Sequence, residues 1–211
     1  MQKIFFYSLI VSLFFLTGCF NSGNKTPTPA TPITNQQYYE TADLKIPLPA
    51  NMFVKDENGA ITLFHAVETF SHTDFCDFKG DSLPTTTFHD FTAKFSFTTL
   101  TMDKTILKFG GEYLKEYIDA DGIIKESEGF LEKTKIGDYA GYKLTQGVEG
   151  CGYDQYFLTA PNGILVVKKD FVPELTDLNM QKEKYQTIPN VILPEKSEQI
   201  FEEVVKNIVV K

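Results

Sequence analysis

The sequence of 211 residues contains no arginine, so it lacks the planar guanidinium that grips phosphate with two parallel hydrogen bonds. Lysine supplies all 20 basic side chains, and each offers only a point charge. Acidic residues outnumber them, which gives a formal net charge of −8. Because a negative surface repels phosphate backbones, the composition argues against nucleic acid as a partner and disfavours a dedicated phosphate clamp.

The apolar run near the N-terminus is too short for a membrane-spanning helix. It extends from Ile4 to Leu16, whereas a helix that crosses a bilayer needs about 20 residues. One cation, Lys3, precedes the run, and small residues come directly before Cys19. This arrangement is typical of a secretory signal.

The four residues Leu16-Thr17-Gly18-Cys19 resemble the lipobox of bacterial lipoproteins. The resemblance implies that residues 1–18 are a signal peptide and that the Cys19 sulfur receives a diacylglyceryl group. Two or three acyl chains, at about 0.8 kcal/mol per buried methylene, would anchor the chain almost permanently. We therefore expect a lipid-anchored, extracytoplasmic protein of the cell membrane or envelope. The alternative is an ordinary signal peptide with a chance cysteine.

Residues 19–37 predict a disordered tether. They are rich in Thr, Asn, Ser and Pro and contain almost nothing to bury, so packing cannot offset their ordering entropy. At about 3.1 Å per residue, the tether could hold the following domain up to about 50 Å from the bilayer. Residues 38–211 are the right size for a single domain with a hydrophobic core.

The two other cysteines, Cys76 and Cys151, are predicted to form a disulfide. Outside the cytoplasm an even pair of cysteines is more often bonded than free. A bridge that closes a loop of this length would stabilise the fold by about 4 kcal/mol in the chain-entropy model.

The sequence predicts four strands. Residues 91–100, FTAKFSFTTL, alternate between apolar and polar side chains, which is typical of an antiparallel strand with one solvated side. Residues 61–68 are a less regular strand candidate. Residues 153–159 and 164–171 flank Ala-Pro-Asn-Gly, whose turn residues predict a hairpin.

Two segments predict helices, at residues 110–119 and 195–210. The second follows Pro194, which suits a first helical turn. Its apolar side chains fall on one stripe, formed by Ile200, Phe201, Val204, Val205 and Ile208. We therefore predict an α+β fold, with a mostly antiparallel sheet packed by a C-terminal amphipathic helix and a shorter helix.

The order of these segments loosely resembles the PsbP-like α+β fold, with an early KIPLPANMFV segment, DYAGYKL before the hairpin, and a closing helix. Residues 130–211, with their Gly-Cys-Gly element, are similar to small uncharacterised bacterial lipoproteins. The resemblance to the PsbP-like fold implies a binding or assembly module, since PsbP-like domains are chiefly of that kind. Likeness at the level of a fold implies no specific activity.

The string Gly-Asp-Ser-Leu at residues 80–83 resembles the serine block of GDSL-type hydrolases, in which Ser82 would be the nucleophile. Such an enzyme also needs a late histidine base. The sequence contains three histidines, and none follows His89. A polar loop is the simpler interpretation of this string.

The segment His-Thr-Asp-Phe-Cys at residues 72–76 raises the possibility of a metal site. If it were extended, His72, Asp74 and Cys76 would project from one face, and all three are zinc ligand types. His65 and His89 could complete the site. The predicted disulfide competes with this interpretation, because oxidised sulfur does not ligate as a thiolate.

The string Asp-Ala-Asp-Gly at residues 119–122 is similar to the opening of a calcium loop, with Glu126 and Glu128 nearby. The full pattern of acidic positions is not present, and a turn explains the string more simply. The acid-rich stretch from residue 112 to residue 138 is expected to solvate the surface.

The expected function is a non-enzymatic, membrane-tethered binding or assembly-support module without cofactor or metal, whose partner is an envelope protein or a small ligand. The alternative is an envelope hydrolase or metal-dependent enzyme that uses Ser82 or the region of His72 and Cys76. Convergence of His72, Asp74, Ser82 and His89 in one cavity would favour the alternative.

Overall fold

The computed structural model describes residues 37–57, 59–67, 73–81, 83–84, 86–176 and 179–211. The predicted signal peptide, Cys19 and residues 20–36 of the predicted tether lie outside these ranges, as do His72 and Ser82. Within them, no helix combines the length and the apolar character needed to span a bilayer.

The described residues form one large and one small antiparallel sheet. The small sheet contains β1 (Gln37–Glu40), β2 (Leu44–Leu48) and β10 (Val209–Val210), with β2 in the middle. The large sheet has seven strands in spatial order, namely β3 (Phe53–Glu57), β4 (Ala60–Val67), β5 (Phe88–Thr98), β9 (Gly163–Asp170), β8 (Cys151–Ala160), β7 (Tyr139–Val148) and β6 (Leu131–Ile136). Mostly antiparallel strands with a few helices make this an α+β fold, as predicted.

The predicted strands are present. β5 begins three residues before the predicted segment, and its alternation buries Phe91, Ala93 and Phe95 while Lys94 is exposed. The predicted hairpin is the β8–β9 pair, which closes at Ala160 and Gly163. β6 has no counterpart among the predicted strands.

The predicted helix at residues 110–119 is present over Glu112–Tyr117 only, as a 3₁₀ helix, and the α-helix before it was not predicted. The chain forms α1 at Met102–Gly110 and then a separate 3₁₀ helix at Glu112–Tyr117. The break lies at Gly111, whose φ of 117° is outside the right-handed helical region and favours glycine. Gly110 is needed for packing, because an added Cβ would lie 2.6 Å from Leu114 Cδ1.

The C-terminal helix α4 spans Pro194–Lys206, and the chain then turns into β10. Phe201, Val204 and Val205 of α4 are buried in one apolar cluster with residues of β2, β4, β5, β8 and β9. We call the side of the large sheet that carries this cluster the inner face. It is represented by Leu63, Phe95 and Val167.

The opposite side of the large sheet, which we call the outer face, is only partly covered. α1 and the 3₁₀ helix bury Ile106 and Leu114 against Leu144, Phe157 and Val166. Among the described residues, this second cluster draws on β6, β7, β8 and β9 but not on β3, β4 or β5. In the described part of the chain, α1 and the 3₁₀ helix therefore leave the outer face uncovered over β3, β4 and β5.

Two short helices lie at one end of the large sheet, α2 at Pro173–Thr176 and α3 at Asn179–Gln186. Leu175 and Tyr185 form a small buried cluster with Phe88 at the start of β5. This cluster fixes the segment that follows β9 next to the first residues of β5.

Candidate functional site

The structure joins Cys76 and Cys151 in a disulfide, as the cysteine count predicts, with their Cα atoms 5.6 Å apart. Cys151 is the first residue of β8, whereas Cys76 lies in the loop between β4 and β5. The bridge therefore holds this loop against the end of the large sheet.

The loop that carries Cys76 is a turn rather than an extended segment. The Cys76 N–H donates to Asp74 Oδ1 at 2.8 Å, and the Asp77 N–H donates to the Asp74 carbonyl at 3.2 Å. The extended conformation that would align Asp74 with Cys76 as metal ligands is thus absent from residues 73–77. In the described part of the chain, no group of three or more His, Cys, Asp or Glu side chains is placed to hold a metal ion.

The disulfide-bonded loop forms one wall of a cavity of about 510 Å³ at the end of the outer face. We call it the outer cavity. The loop, β5, the end of β9 and the start of α2 all contribute to its lining. Its polar lining residues are Asp74, Thr87, His89, Thr92, Asp170 and Glu174.

Carboxylates dominate the charge of the outer cavity. Glu174 is only 8% exposed, and its Oε1 accepts a hydrogen bond from the Phe75 N–H at 3.5 Å. Asp170 lies 3.4 Å from Lys168 Nζ, which in turn sits 3.8 Å from the centre of the Tyr153 ring. Burial raises the pKa of Tyr153, and the negative charge of Asp170 raises it further.

An aromatic row extends from the outer cavity across the open part of the outer face. The rings of Phe53 and Phe64 stack with their centres 5.5 Å apart, and Phe64 stacks on His89 at the same distance. Phe53 pairs with Phe64 across β3 and β4, and Phe64 pairs with Thr92 of β5. Flat aromatic surfaces beside polar groups are common in binding sites, because they offer contact area at low entropic cost.

The histidines predicted as possible ligands lie on different faces. His89 is exposed in the outer cavity, whereas His65 is 6% exposed on the inner face. His65 Nδ1 lies 2.6 Å from Asp90 Oδ1, and Asp90 Oδ2 accepts a hydrogen bond from the Ile192 N–H at 2.6 Å. His65 thus helps to fix the segment before α4.

The convergence expected for a hydrolase or metal enzyme is found for two of its four residues. Asp74 and His89 both line the outer cavity, while His72 and Ser82 lie outside the described residues. The residues around Ser82 that are described, Gly80, Asp81 and Leu83, belong to no strand. The Leu83 side chain is 87% exposed, unlike an apolar strand next to a nucleophile.

A second cavity, of about 260 Å³, lies on the inner face beside α4. Its lining includes Asp90, Lys169, Ser197 and Glu198. Lys169 is only 8% exposed and forms a very close ion pair with Glu198, and its Nζ lies 5.7 Å from the centre of the Phe201 ring. The buried Lys169 ammonium thus keeps a partner, the exposed Glu198 carboxylate of α4, and avoids the cost of an unpaired buried charge.

The string at residues 119–122 forms a turn. Asp119 Oδ1 accepts hydrogen bonds from the backbone N–H groups of Asp121 at 3.0 Å and Ile123 at 2.8 Å. The Gly122 N–H donates to the Asp119 carbonyl at 3.0 Å. The Asp119 carboxylate is therefore engaged by its own backbone, which agrees with the interpretation of this string as a turn.

Sequence reasoning did not assign Thr92, Lys168 or Asp170 of the outer face to a site. It recognised Thr92 only as a solvated strand position and residues 164–171 only as a strand. The alternation of apolar and polar residues indicates the face of each strand, but it does not indicate which strands pair.

A scan against protein-family models gives no match, and a search of the curated proteins gives none either. A search of solved structures finds a crystal structure of a protein from Bacteroides thetaiotaomicron with 13% sequence identity and a TM-score of 0.40. The alignment covers 84% of this chain and 49% of that chain, so this chain spans about half the length of that protein. A likeness at this level carries no argument about function.

Proposed function

We propose that this protein is a lipid-anchored, extracytoplasmic binding module whose partner contacts the outer face of the large sheet. The chain would be anchored through Cys19 and would reach its partner on the tether of residues 19–37. The partner would be an envelope protein or a small ligand held at the outer cavity.

The outer cavity is the observation that carries this proposal. It is open, it has a volume of about 510 Å³, and side chains from several elements line it. Its position next to a disulfide gives it a fixed wall, and disulfides persist mainly in oxidising compartments. A concave site with aromatic and polar groups is the usual form of a ligand site.

The lipid anchor is tested by growing cells with labelled palmitate. The wild-type protein should carry the label and remain in the membrane fraction. The Cys19→Ala variant should carry none, because it lacks the sulfur that accepts the diacylglyceryl group. An unlabelled wild-type protein would contradict the anchor.

The binding surface is tested by placing a photo-crosslinking residue at Asp74 in intact cells. Asp74 is exposed and lines the outer cavity, so this position should trap one reproducible neighbour. The matched control is Gln199, an exposed residue of α4 beside the inner face. Equal trapping from both positions would contradict a partner on the outer face.

An envelope enzyme is the second candidate, because Asp74 and His89 share the outer cavity. A carboxylate and an imidazole in one cavity are a possible acid–base pair or ligand pair. Elemental analysis of the purified protein tests for a metal-dependent enzyme, and the His89→Ala variant is the comparison. Stoichiometric zinc that is lost in the variant would favour the enzyme over the binding module.

A further inference from the structure

A buried carboxylate without a cation lines the outer cavity. Glu174 of α2 is 8% exposed, and its Oε1 accepts a hydrogen bond from the Phe75 N–H at the long distance of 3.5 Å. In the described part of the chain, Glu174 forms no ion pair. An ionised carboxylate has about four acceptor positions, so most of the hydrogen-bonding capacity of Glu174 is unused. Burial of a charge without a partner costs free energy, which a cationic ligand would recover.

A second carboxylate lies next to Glu174. Asp74 directly precedes Phe75, whose N–H contacts Glu174, and it lines the same cavity. The Asp74 side chain is exposed, and its Oδ1 accepts a hydrogen bond from the Cys76 N–H at 2.8 Å. Within the described residues, no donor contacts Asp74 Oδ2. Two neighbouring negative charges repel each other, and a cation that contacts both removes this cost.

The third carboxylate of the outer cavity, Asp170, already has a cation. Its Oδ1 lies 3.4 Å from Lys168 Nζ on the outer face. The described lining of the cavity includes one imidazole, from His89, and no lysine. The unmatched negative charge is therefore that of Asp74 and Glu174.

Apolar side chains adjoin the two unmatched carboxylates. Val172 and Pro173 directly precede Glu174 in the chain, and both line the outer cavity together with Phe88 and Phe171. Apolar walls lower the local dielectric constant, which strengthens an ion pair within the cavity. They also favour a ligand that carries carbon atoms over a hydrated inorganic ion.

A metal ion fits this arrangement less well than an organic cation. Calcium takes about six to eight oxygen ligands. The described residues hold no group of three or more side chains of the metal-binding types that is placed to bind an ion. An alkylammonium group has three N–H donors, which two carboxylates can accept, and its carbon chain suits the apolar walls.

We propose that the outer cavity binds the ammonium group of an alkylamine, with the ammonium on Glu174 and Asp74 and the carbon chain against the apolar walls. The inference rests on the proposed binding function and names the chemistry of its ligand. Two sources present this group, a lysine side chain of an envelope protein and a free small amine.

The test is an NMR titration of the full chain in detergent with n-butylammonium, which reproduces the end of a lysine side chain. Backbone signals should shift at residues 74–76, 88–89 and 171–174. n-Butanol keeps the carbon chain and lacks the charge, so it should bind about tenfold more weakly. Calcium is the competing probe. Absence of n-butylammonium binding, equal binding of n-butanol, or tighter binding of calcium would each overturn the proposal.

Glu174→Gln removes the charge and keeps the size of the side chain, so it should weaken n-butylammonium binding about tenfold. Asp74→Asn changes an exposed residue and should weaken binding about threefold. The matched control is Glu128→Gln, which makes the same charge change at an exposed position in the turn before β6 and should have no effect. Unchanged affinity in both cavity variants, or equal weakening by the control, would contradict the assignment.

Nα-acetyl-lysine N-methylamide presents the same ammonium group on a peptide backbone and separates the two sources. If it binds more tightly than n-butylammonium, the source is a lysine of an envelope protein. If it binds more weakly, the source is a free amine. Either order supports the ammonium site.

The crosslinking experiment separates this inference from the proposed function, because a crosslinker at Asp74 leaves Glu174 in place. Capture of a neighbour in cells without n-butylammonium binding would overturn the ammonium chemistry and leave the binding module standing. Binding of n-butylammonium without any capture in cells would support the ammonium chemistry and count against the proposed cellular role.

Discussion

Charged residues have different surroundings on the two faces of the large sheet. On the inner face, His65 pairs with Asp90 and Lys169 pairs with Glu198 beneath α4. On the outer face, Lys94 and Lys168 stand next to each other and Lys94 is exposed. A buried charge that has a partner avoids the cost of an unpaired buried charge. The exposed Lys94 side chain forms no ion pair within the described residues and is free to contact a ligand. The inner face is therefore the structural side and the outer face the candidate binding side.

Removal of the disulfide, which fixes the wall of the outer cavity, should have the largest effect on stability. The double variant Cys76→Ser, Cys151→Ser should lose about 4 kcal/mol of unfolding free energy, since the unfolded chain gains the entropy of an open loop. Urea unfolding without reductant measures this change. A variant as stable as the wild type would show that the bridge does not constrain the loop.

Substitution of Asp90 has the next largest expected effect, and it allows the loss of stability to be compared between the two faces. Asp90→Ala should cost about 3 kcal/mol, because it leaves buried His65 and the Ile192 N–H without their acceptor. Asp170→Ala removes a carboxylate from the partly exposed outer pair and should cost less than about 1 kcal/mol. Thermal or urea unfolding of both variants measures the two losses of unfolding free energy. Equal losses would contradict the contrast between the faces.

Gln155 tests a buried group of the outer face. It is 5% exposed, and its Oε1 has no hydrogen-bond partner among the described residues. Gln155→Leu should therefore raise the unfolding free energy by about 1 kcal/mol. Gln146→Leu is the matched control and should lower the unfolding free energy, because Gln146 Oε1 accepts a hydrogen bond from the Tyr153 hydroxyl. A destabilised Gln155→Leu variant would indicate that this amide is satisfied in solution.

Lys94 gives the smallest expected change in stability. Lys94→Gln should raise the unfolding free energy by about 0.3 kcal/mol, because it relieves repulsion from Lys168. Salt should reduce the gain, since it screens exposed charges. Lys196→Gln should show no such gain, and an equal gain in both variants would point to net charge alone.

Much of the fold could be predicted from local patterns in the sequence. The alternation around Lys94 located β5, the Pro-Asn-Gly turn located the β8–β9 hairpin, and the cysteine count located the disulfide. The helix predicted at residues 110–119 is a 3₁₀ helix over Glu112–Tyr117, because Gly111, with a φ of 117°, separates it from α1.

The candidate site was less predictable because it depends on pairing between distant strands. Asp74 and His89 were recognised as polar candidates, and both line the outer cavity. The pairing of Lys94 with Lys168 depends on β9 lying next to β5, which no local pattern indicates. The separation of His65 from His89 depends in the same way on the face that each strand turns to the core.

The most direct test of the binding surface is the reactivity of its lysines toward an amine-acylating reagent, in intact cells and in the purified protein. Lys94 on the outer face and Lys196 on α4 are both exposed. If a partner occupies the outer face, mass spectrometry should show that acylation of Lys94 falls several-fold in cells relative to Lys196. Equal acylation of Lys94 and Lys196 in both preparations would contradict a binding surface on the outer face.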